Sequence, residues 1–375
     1  MGSKNSVAGY QVVIVGAGPA GIGMAAALQD FGISDYVVLE KDEVGSSFLR
    51  WNEDTRLLTP SFQSTQFGLL DLNAVALNTS PAYSSGKEHL SGKEYAQYLQ
   101  RVVKALHLKI KPDTTVKDVQ KKGDTFFIET TKGNYHSRFL VWATGEFQFP
   151  DLTPFPGAEH CILLAHVKSY KELEGEEYSI IGGYESGVDA AIHLSRLGKS
   201  VNLIDKQEVL AADSQDPSIT LSFYTRQRLD ELPPAEDRIR LFDKHEVSAV
   251  TQQDGIYYIH TNKGYLLSEV PPLLATGFTG GEQQISHLFH SVEGNMELNQ
   301  WDESTKTPGL FLAGPHVRHE NVIFCFIYKF RQRFGIIAAR IARAYGIDTQ
   351  QAELNYRNDN MFLDDLSCCE TDCTC

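Results

Sequence analysis

Gln11-Val-Val-Ile-Val-Gly16-Ala-Gly18-Pro19-Ala20-Gly21-Ile-Gly-Met-Ala-Ala-Ala-Leu-Gln-Asp30 sets a β-branched run directly against a glycine-patterned turn and an apolar helical stretch. The spacing predicts a strand to Val15, a helix over Ile22 to Phe31, and a second strand, Tyr36 to Leu39, that ends at Glu40. That order is the dinucleotide fingerprint of a βαβ unit. Gly16 permits the tight turn, Gly18 lets the backbone approach a pyrophosphate, and Gly21 lets the helix pack close to the strand. The helix N-terminus offers N–H donors and a partial positive charge to that phosphate. Glu40 stands where a ribose diol needs an acceptor. Gly16, Gly18, Pro19, Ala20, Gly21, Glu40 and Lys41 are therefore the candidate residues for a first nucleotide.

The unit recurs. Tyr178 to Ile181 read as a strand, followed by Gly182-Gly183-Tyr184-Glu185-Ser186-Gly187, a helix to about Leu197, and a strand Val201 to Ile204 ending at Asp205-Lys206. Gly21 to Gly32 and Gly187 to Gly198 have equal spacing, which marks an internal duplication. Two such sites in one chain imply one nucleotide held and one exchanged, with FAD bound first and NADPH or NADH second. The second copy carries Tyr184 at the middle glycine, where a side chain either crowds the pyrophosphate or swings aside as a gate. Asp205 favours the free diol of NADH, whereas Lys206, Arg226 and Arg228 would suit the 2′-phosphate of NADPH.

Around these units, Ser91-Gly-Lys-Glu94 reads as a capping box opening a helix to about Leu106. Alternation at Thr114 to Val119, Thr125 to Thr130 and Asn134 to Ser137 predicts a β-meander, with a separate apolar strand Phe139 to Ala143 after it. That strand ends Ala143-Thr144-Gly145, and a later one ends Ala275-Thr276-Gly277; small residues there let backbone pass close to a bound nucleotide. A strand Gly309 to Ala313 leads into Gly314-Pro315, and a long amphipathic helix is expected from Val322 to Tyr345. The fold class is α/β: two Rossmann-like three-layer dinucleotide-binding domains. The expected division is 1–153 and 271–360 for the FAD domain, 154–270 for an inserted NAD(P)H domain, and 361–375 for a tail.

The chain has 375 residues and a formal net charge of −14, which argues against unspecific nucleic-acid binding. No apolar stretch approaches the roughly 20 residues of a membrane span, and Met1 to Ser6 has no signal-peptide core. The expectation is a soluble, cytoplasmic protein acting on a small-molecule substrate, with a homodimer left open.

The paired fingerprints, the two Ala-Thr-Gly strand ends and Pro308-Gly-Leu-Phe-Leu-Ala-Gly314 resemble the two-dinucleotide-binding flavoproteins. Within these the chain is most similar to bacterial flavin-containing monooxygenases, some of them named as accessory to cobalt, zinc and cadmium efflux. The resemblance implies FAD, NAD(P)H and oxygenation of a small soft nucleophile. His166-Val-Lys-Ser-Tyr170-Lys171 matches the second half of the monooxygenase linker signature, whereas His160 and Ile162 replace the phenylalanine and glycine of its first half. His166 is thus either a signature residue or a linker histidine that packs. The disulfide reductases of this fold end their last FAD motif in Gly-Asp and carry a Cys-x-x-Cys pair; this chain has Gly314-Pro315 and no such pair in either fingerprint region.

Cys368, Cys369, Cys373 and Cys375 crowd the last eight residues. Four thiolates so close would suit a soft metal ion such as Cu(I), Zn(II) or Hg(II). They would equally serve as a redox tail carrying electrons to an external disulfide or metal, making them candidate catalytic residues. The third reading is a thiol-rich terminus without a defined role. Function thus divides three ways: monooxygenase, thiol-disulfide or soft-metal reductase, and flavin-containing metal-binding accessory protein.

Overall fold

The computed structural model describes residues 7–62, 70–208, 218–320 and 322–366. The chain divides into two compact units. Among the described residues, one holds those up to Leu49, Thr59–Gln148 and 280–366; the other holds Arg50–Leu58 and Phe149–Thr279.

The sheet of the first unit grows from the strand Val7–Val15, which pairs in parallel with Tyr36–Leu39 on one side and Gly133–Trp142 on the other. Gly133–Trp142 serves two partners along its length. Residues 133–137 pair antiparallel with Thr125–Thr130, and Leu140 to Trp142 pair in parallel with Leu310–Leu312. The sequence splits this strand at Arg138, because the first half alternates as an exposed meander and the second is uniformly apolar. One continuous strand satisfies both patterns, since its second half lies in the sheet centre with both faces covered. The helix Pro19–Asp30 packs along this sheet, and Gly23 allows the ring of Phe334 to approach it closely. The helix Gly92–Ala105 opens with the expected capping box: Ser91 Oγ accepts from the Glu94 amide, and the Glu94 carboxylate accepts from the Ser91 amide.

The sheet of the second unit is wholly parallel, in the order Ile239–Phe242, Ser200–Ile204, Glu177–Ile181, Leu273–Leu274, Ile162–Leu163. A three-stranded antiparallel sheet, Val247–Gln253, Ile256–Thr261 and Gly264–Ser268, completes it. The Rossmann-like class read from the sequence is what the structure shows.

Three expectations change. The division falls at 148/149 and 279/280, not at 153/154 and 270/271, because the outgoing and returning segments run side by side. The Thr279 amide donates to the Phe149 carbonyl, the Asp151 amide to the Gly277 carbonyl, and Pro150 pairs with Phe278. Arg50–Leu58 joins the second unit, where the Glu53 amide donates to the Lys168 carbonyl and Ser169 Oγ to Glu53 Oε1. The helix expected over 322–345 is broken into a short strand Val322–Ile323, a turn of helix Ile327–Phe330, a 3₁₀ turn Arg331–Arg333 and the helix Phe334–Ala344. Arg331 and Arg333 both turn inward onto fixed acceptors, the Asp71 and Ala74 carbonyls for one and the Asp302 carboxylate for the other. No helix among the described residues is long and apolar enough to cross a membrane.

Candidate functional site

The two fingerprints repeat each other in atomic detail. A Cβ on Gly16 would collide with the Ala143 carbonyl, and one on Gly182 with the Ala275 carbonyl. Each turn therefore runs against an Ala-Thr-Gly strand end at a distance only glycine allows, and both turn glycines have φ above +100°. A Cβ on Gly21 or Gly187 would strike the carbonyl of Gly16 or Gly182, which fixes each helix onto its own turn. Gly145 and Gly277, closing the strand ends, both adopt left-handed φ.

The acids at the second strands match as well. Glu40 Oε2 accepts from the Ala17 amide at 2.7 Å, and Asp205 Oδ2 accepts from the Gly183 amide at 2.6 Å. Their other oxygens accept from the amides of Asp42 and Gln207. Glu40 is 4 % exposed, and burial pushes its pKa up against the hydrogen bonds that lower it. Lys41 and Lys206, next in sequence, are exposed. At the first fingerprint the residues fit a dinucleotide. A Cβ on Gly18 would meet nothing within 4 Å, Thr144 Oγ1 is buried without a hydrogen-bond partner among the described residues, and a Cβ added to Gly314 would lie 3.3 Å from the Ala20 Cβ.

By spacing, His316 and His319 read either as metal ligands or as loop histidines near a flavin edge; the structure gives each its own acids and builds around His316 a cluster the sequence does not show. His316, two residues past Gly314, is held at 2.9 Å by Glu146 on Nε2 and at 2.9 Å by Glu282 on Nδ1. A ring bonded to two carboxylate acceptors donates from both nitrogens and is therefore an imidazolium. Burial disfavours that charge, but the hydrogen bonds and the fields of Glu146 and Glu282 outweigh it and push the pKa up to about 9. Arg318 lies within the field of both glutamates and of Cys325. Glu146 directly follows Ala143-Thr144-Gly145, and Glu282 follows Gly280-Gly281, whose backbone is tied in by Gly281 amide to Gly145 carbonyl and by Trp142 Nε1 to Gly281 carbonyl. An acid beside a glycine turn at a strand end was the available signal.

The sign of the pH effect follows. Because the folded pKa lies above the usual 6.5, the clamp's stabilisation is complete below pH 6.5 and is lost as pH rises through about 9. It is worth on the order of 3 kcal/mol. Denaturant unfolding across pH 6–10 should show that loss, and His316→Gln should flatten it; an unchanged slope in the variant would assign the effect elsewhere.

Other expected roles shift. Arg228 is no phosphate anchor: it is buried, donates to Asp189 Oδ1 at 2.7 Å and to His193 Nε2 at 2.9 Å, and lies over the Tyr224 ring. Tyr170 is buried and stacks on His193, whereas His166 is exposed. His319 pairs with Asp302 at 2.5 Å. Cys161 and Cys325 are not in a disulfide, and burial pushes the Cys161 thiol up to about 12. Among the described residues no group of three or more His, Cys, Asp or Glu is arranged to hold a metal ion. Cys368, Cys369, Cys373 and Cys375 lie outside the described residues.

Two dinucleotide-binding βαβ units, each with its acid and its Ala-Thr-Gly strand end, define a two-nucleotide flavoprotein fold. The chain belongs to the pyridine nucleotide-disulphide oxidoreductase family, whose description matches residues 13–314. Members of this family are FAD-dependent and use NAD(P)H. The chain is similar to the bacilliredoxin reductase Bdr of Bacillus subtilis, 25 % identical over 337 residues that cover 89 % of this chain and 98 % of that one. It is also similar to senecionine N-oxygenase of Tyria jacobaeae, 26 % identical over 80 % of this chain and 67 % of the relative. The solved bacillithiol disulfide reductase Bdr (YpdA) of Staphylococcus aureus superposes with a TM-score of 0.71 at 21 % identity, covering 90 % of this chain and 99 % of that one.

Proposed function

We propose that this oxidoreductase takes two electrons from NAD(P)H and delivers them to a disulfide outside its core, through the cysteines of its C-terminal tail. The observation that carries this reading is the distribution of thiols. Cys161 is held protonated by burial, no Cys-x-x-Cys pair lies in either fingerprint region, and four thiols stand within the last eight residues. The whole-length similarity to a bacilliredoxin reductase supports the same class of acceptor.

In balance, NAD(P)H loses a hydride and the acceptor disulfide gains two electrons and two protons to become two thiols. FAD, when bound, supplies the two-electron relay between these half-reactions. Gly16, Gly18, Pro19, Ala20, Gly21 and Glu40 would hold its adenosine diphosphate half, with Ala143, Thr144, Gly145, Gly314 and Pro315 at the strand ends beside it. Gly182, Gly183, Tyr184, Glu185, Ser186, Gly187, Asp205, Ala275, Thr276 and Gly277 would form the coenzyme site. Thiol–disulfide exchange at the tail needs thiolate, and Glu370 and Asp372 between the cysteines disfavour it, so disulfide turnover should rise with pH.

Truncation after Leu366 is the test. NADPH oxidation driven by a small disulfide should fall at least tenfold, while flavin content and electron transfer to ferricyanide stay unchanged. A truncated chain that reduces the disulfide at full rate would overturn the tail's role.

The monooxygenase reading remains the second, favoured by the similarity to an N-oxygenase over 80 % of the chain. Of its linker signature, Tyr170 is a packing residue here, stacked on His193, while His166 is exposed and so is not the packing linker histidine that the sequence allowed. Oxygen consumption coupled to oxygenation of an amine or sulfide, with no response to disulfide, would reverse the order of the two. Soft-metal capture by the tail, without turnover, is the third outcome, and thiol titration with and without Zn(II) separates it.

A further inference from the structure

Gly18 and Tyr184 are the same residue of two copies of one unit, and they have the same backbone: φ −83°, ψ −169° for one and φ −92°, ψ −165° for the other. Both are helix N-caps, and neither lends a side-chain acceptor to its own helix. A Cβ on Gly18 would enter open space, with nothing within 4 Å. The equivalent vector at position 184 carries a phenol. Tyr184 is 36 % exposed, and its Oη donates to the Thr220 carbonyl at 2.8 Å.

The neighbouring acid is fastened in the same place. Glu185 accepts from the Ser222 amide and hydroxyl and, at 2.6 Å, from Thr225 Oγ1, all at the start of the helix Phe223–Asp230. Residues 220–225 therefore hold both side chains that follow Gly183. The rest of the second site is intact: the Gly182 and Gly187 approaches and the Asp205 bond to the Gly183 amide repeat those of the first.

We infer that Tyr184 is a specificity residue of the coenzyme site: a latch, tied to the Thr220 carbonyl, that fills the space above the helix N-terminus a pyrophosphate would take. Coenzyme binding must break that bond and move the ring, so the site discriminates against nucleotides whose remaining contacts cannot drive the displacement. The inference rests on the family's use of NAD(P)H and not on the disulfide reading.

The test is titration of FAD-loaded protein with NADP⁺, ADP-ribose and AMP. Tyr184→Gly should bind NADP⁺ and ADP-ribose roughly tenfold more tightly, because it removes both the ring and its hydrogen bond from the competing state. AMP, which has no pyrophosphate, should bind with unchanged affinity. Tyr184→Phe keeps the ring and removes the phenol's bond to the Thr220 carbonyl, so it should tighten binding about threefold, the scale of one net hydrogen bond, and it guards against a fault of the glycine variant. Weaker or unchanged NADP⁺ binding in both variants would overturn the latch and make the phenol a direct contact. Equal tightening for AMP would overturn it too, by placing the ring over the adenosine.

Discussion

Gly21→Ala should give protein that emerges colourless and less stable, whereas Gly187→Ala should give protein that keeps its flavin and loses reduction by NAD(P)H. Both substitutions add one methyl, and both drive it into a backbone carbonyl, that of Gly16 or of Gly182. Backbone cannot rotate aside as a side chain can, so the helix must lift from its turn. Overpacking of this kind costs about 1–3 kcal/mol. At Gly21 the displaced N-terminus is the one facing the space beside Gly18, and FAD affinity should fall at least a hundredfold. At Gly187 the same lesion sits in the other unit, whose core forms separately around Ile180, Val188, Leu203 and Leu273. Flavin absorbance after purification and anaerobic reduction by NADPH and by dithionite distinguish the two. A Gly21→Ala protein with full flavin and unaltered unfolding would sink the assignment of the first fingerprint. Loss of flavin in both variants would sink the division of labour between the units.

The two fingerprints were legible in the sequence because most of what defines them is local. A strand, three glycines, a helix and an acid lie within about thirty residues, and Gly21 is explained by the Gly16 carbonyl a few positions away, whereas Gly16 itself meets the distant Ala143 carbonyl. Ser91 and Glu94 were legible for the same reason. The His316 clamp was not: its partner Glu146 is 170 residues away, and no periodicity reports such a pairing. Nor was the placement of Arg50–Leu58, whose composition is ordinary and whose unit is decided by Glu53 meeting Lys168 and Ser169. The long helix failed where local apolar spacing was overruled by two inward arginines. Arg228 shows the converse, since its position on a helix beside the coenzyme site suggested a phosphate, while the buried Asp189 on the facing helix had already claimed it.

Asp302→Asn should be the most damaging single-atom change in the first unit. Asp302 is fully buried, with 0 % exposure, and its carboxylate takes Arg333 through Nε at 3.0 Å and Nη2 at 2.9 Å, together with His319 Nε2 at 2.5 Å. Arg333 is 1 % exposed and also donates to the carbonyls of Gln300, at 2.6 Å, and Leu363, at 2.5 Å. Asp302 has φ +61°, a conformation asparagine adopts as readily, so the substitution changes charge and not backbone. What remains is a guanidinium sealed from water without its counter-ion, which costs about 3–5 kcal/mol. Arg333→Gln should cost a similar amount by stranding the carboxylate, and Asp302→Asn/Arg333→Gln should be no worse than either alone, because neither charge is then left behind. Urea unfolding of the three variants measures this; strict additivity would show that the pair is not coupled. The arginine has a second duty that stability alone does not report. With the Leu363 amide bonded to the Gln332 carbonyl at 3.1 Å, the Arg333–Leu363 bond fixes the chain three residues before the last described position, Leu366. Loss of that anchor should open residues 359–366 to limited proteolysis under conditions where the helix Phe334–Ala344 stays protected. If the tail cysteines carry electrons as proposed, it should also lower disulfide turnover without lowering electron transfer to ferricyanide.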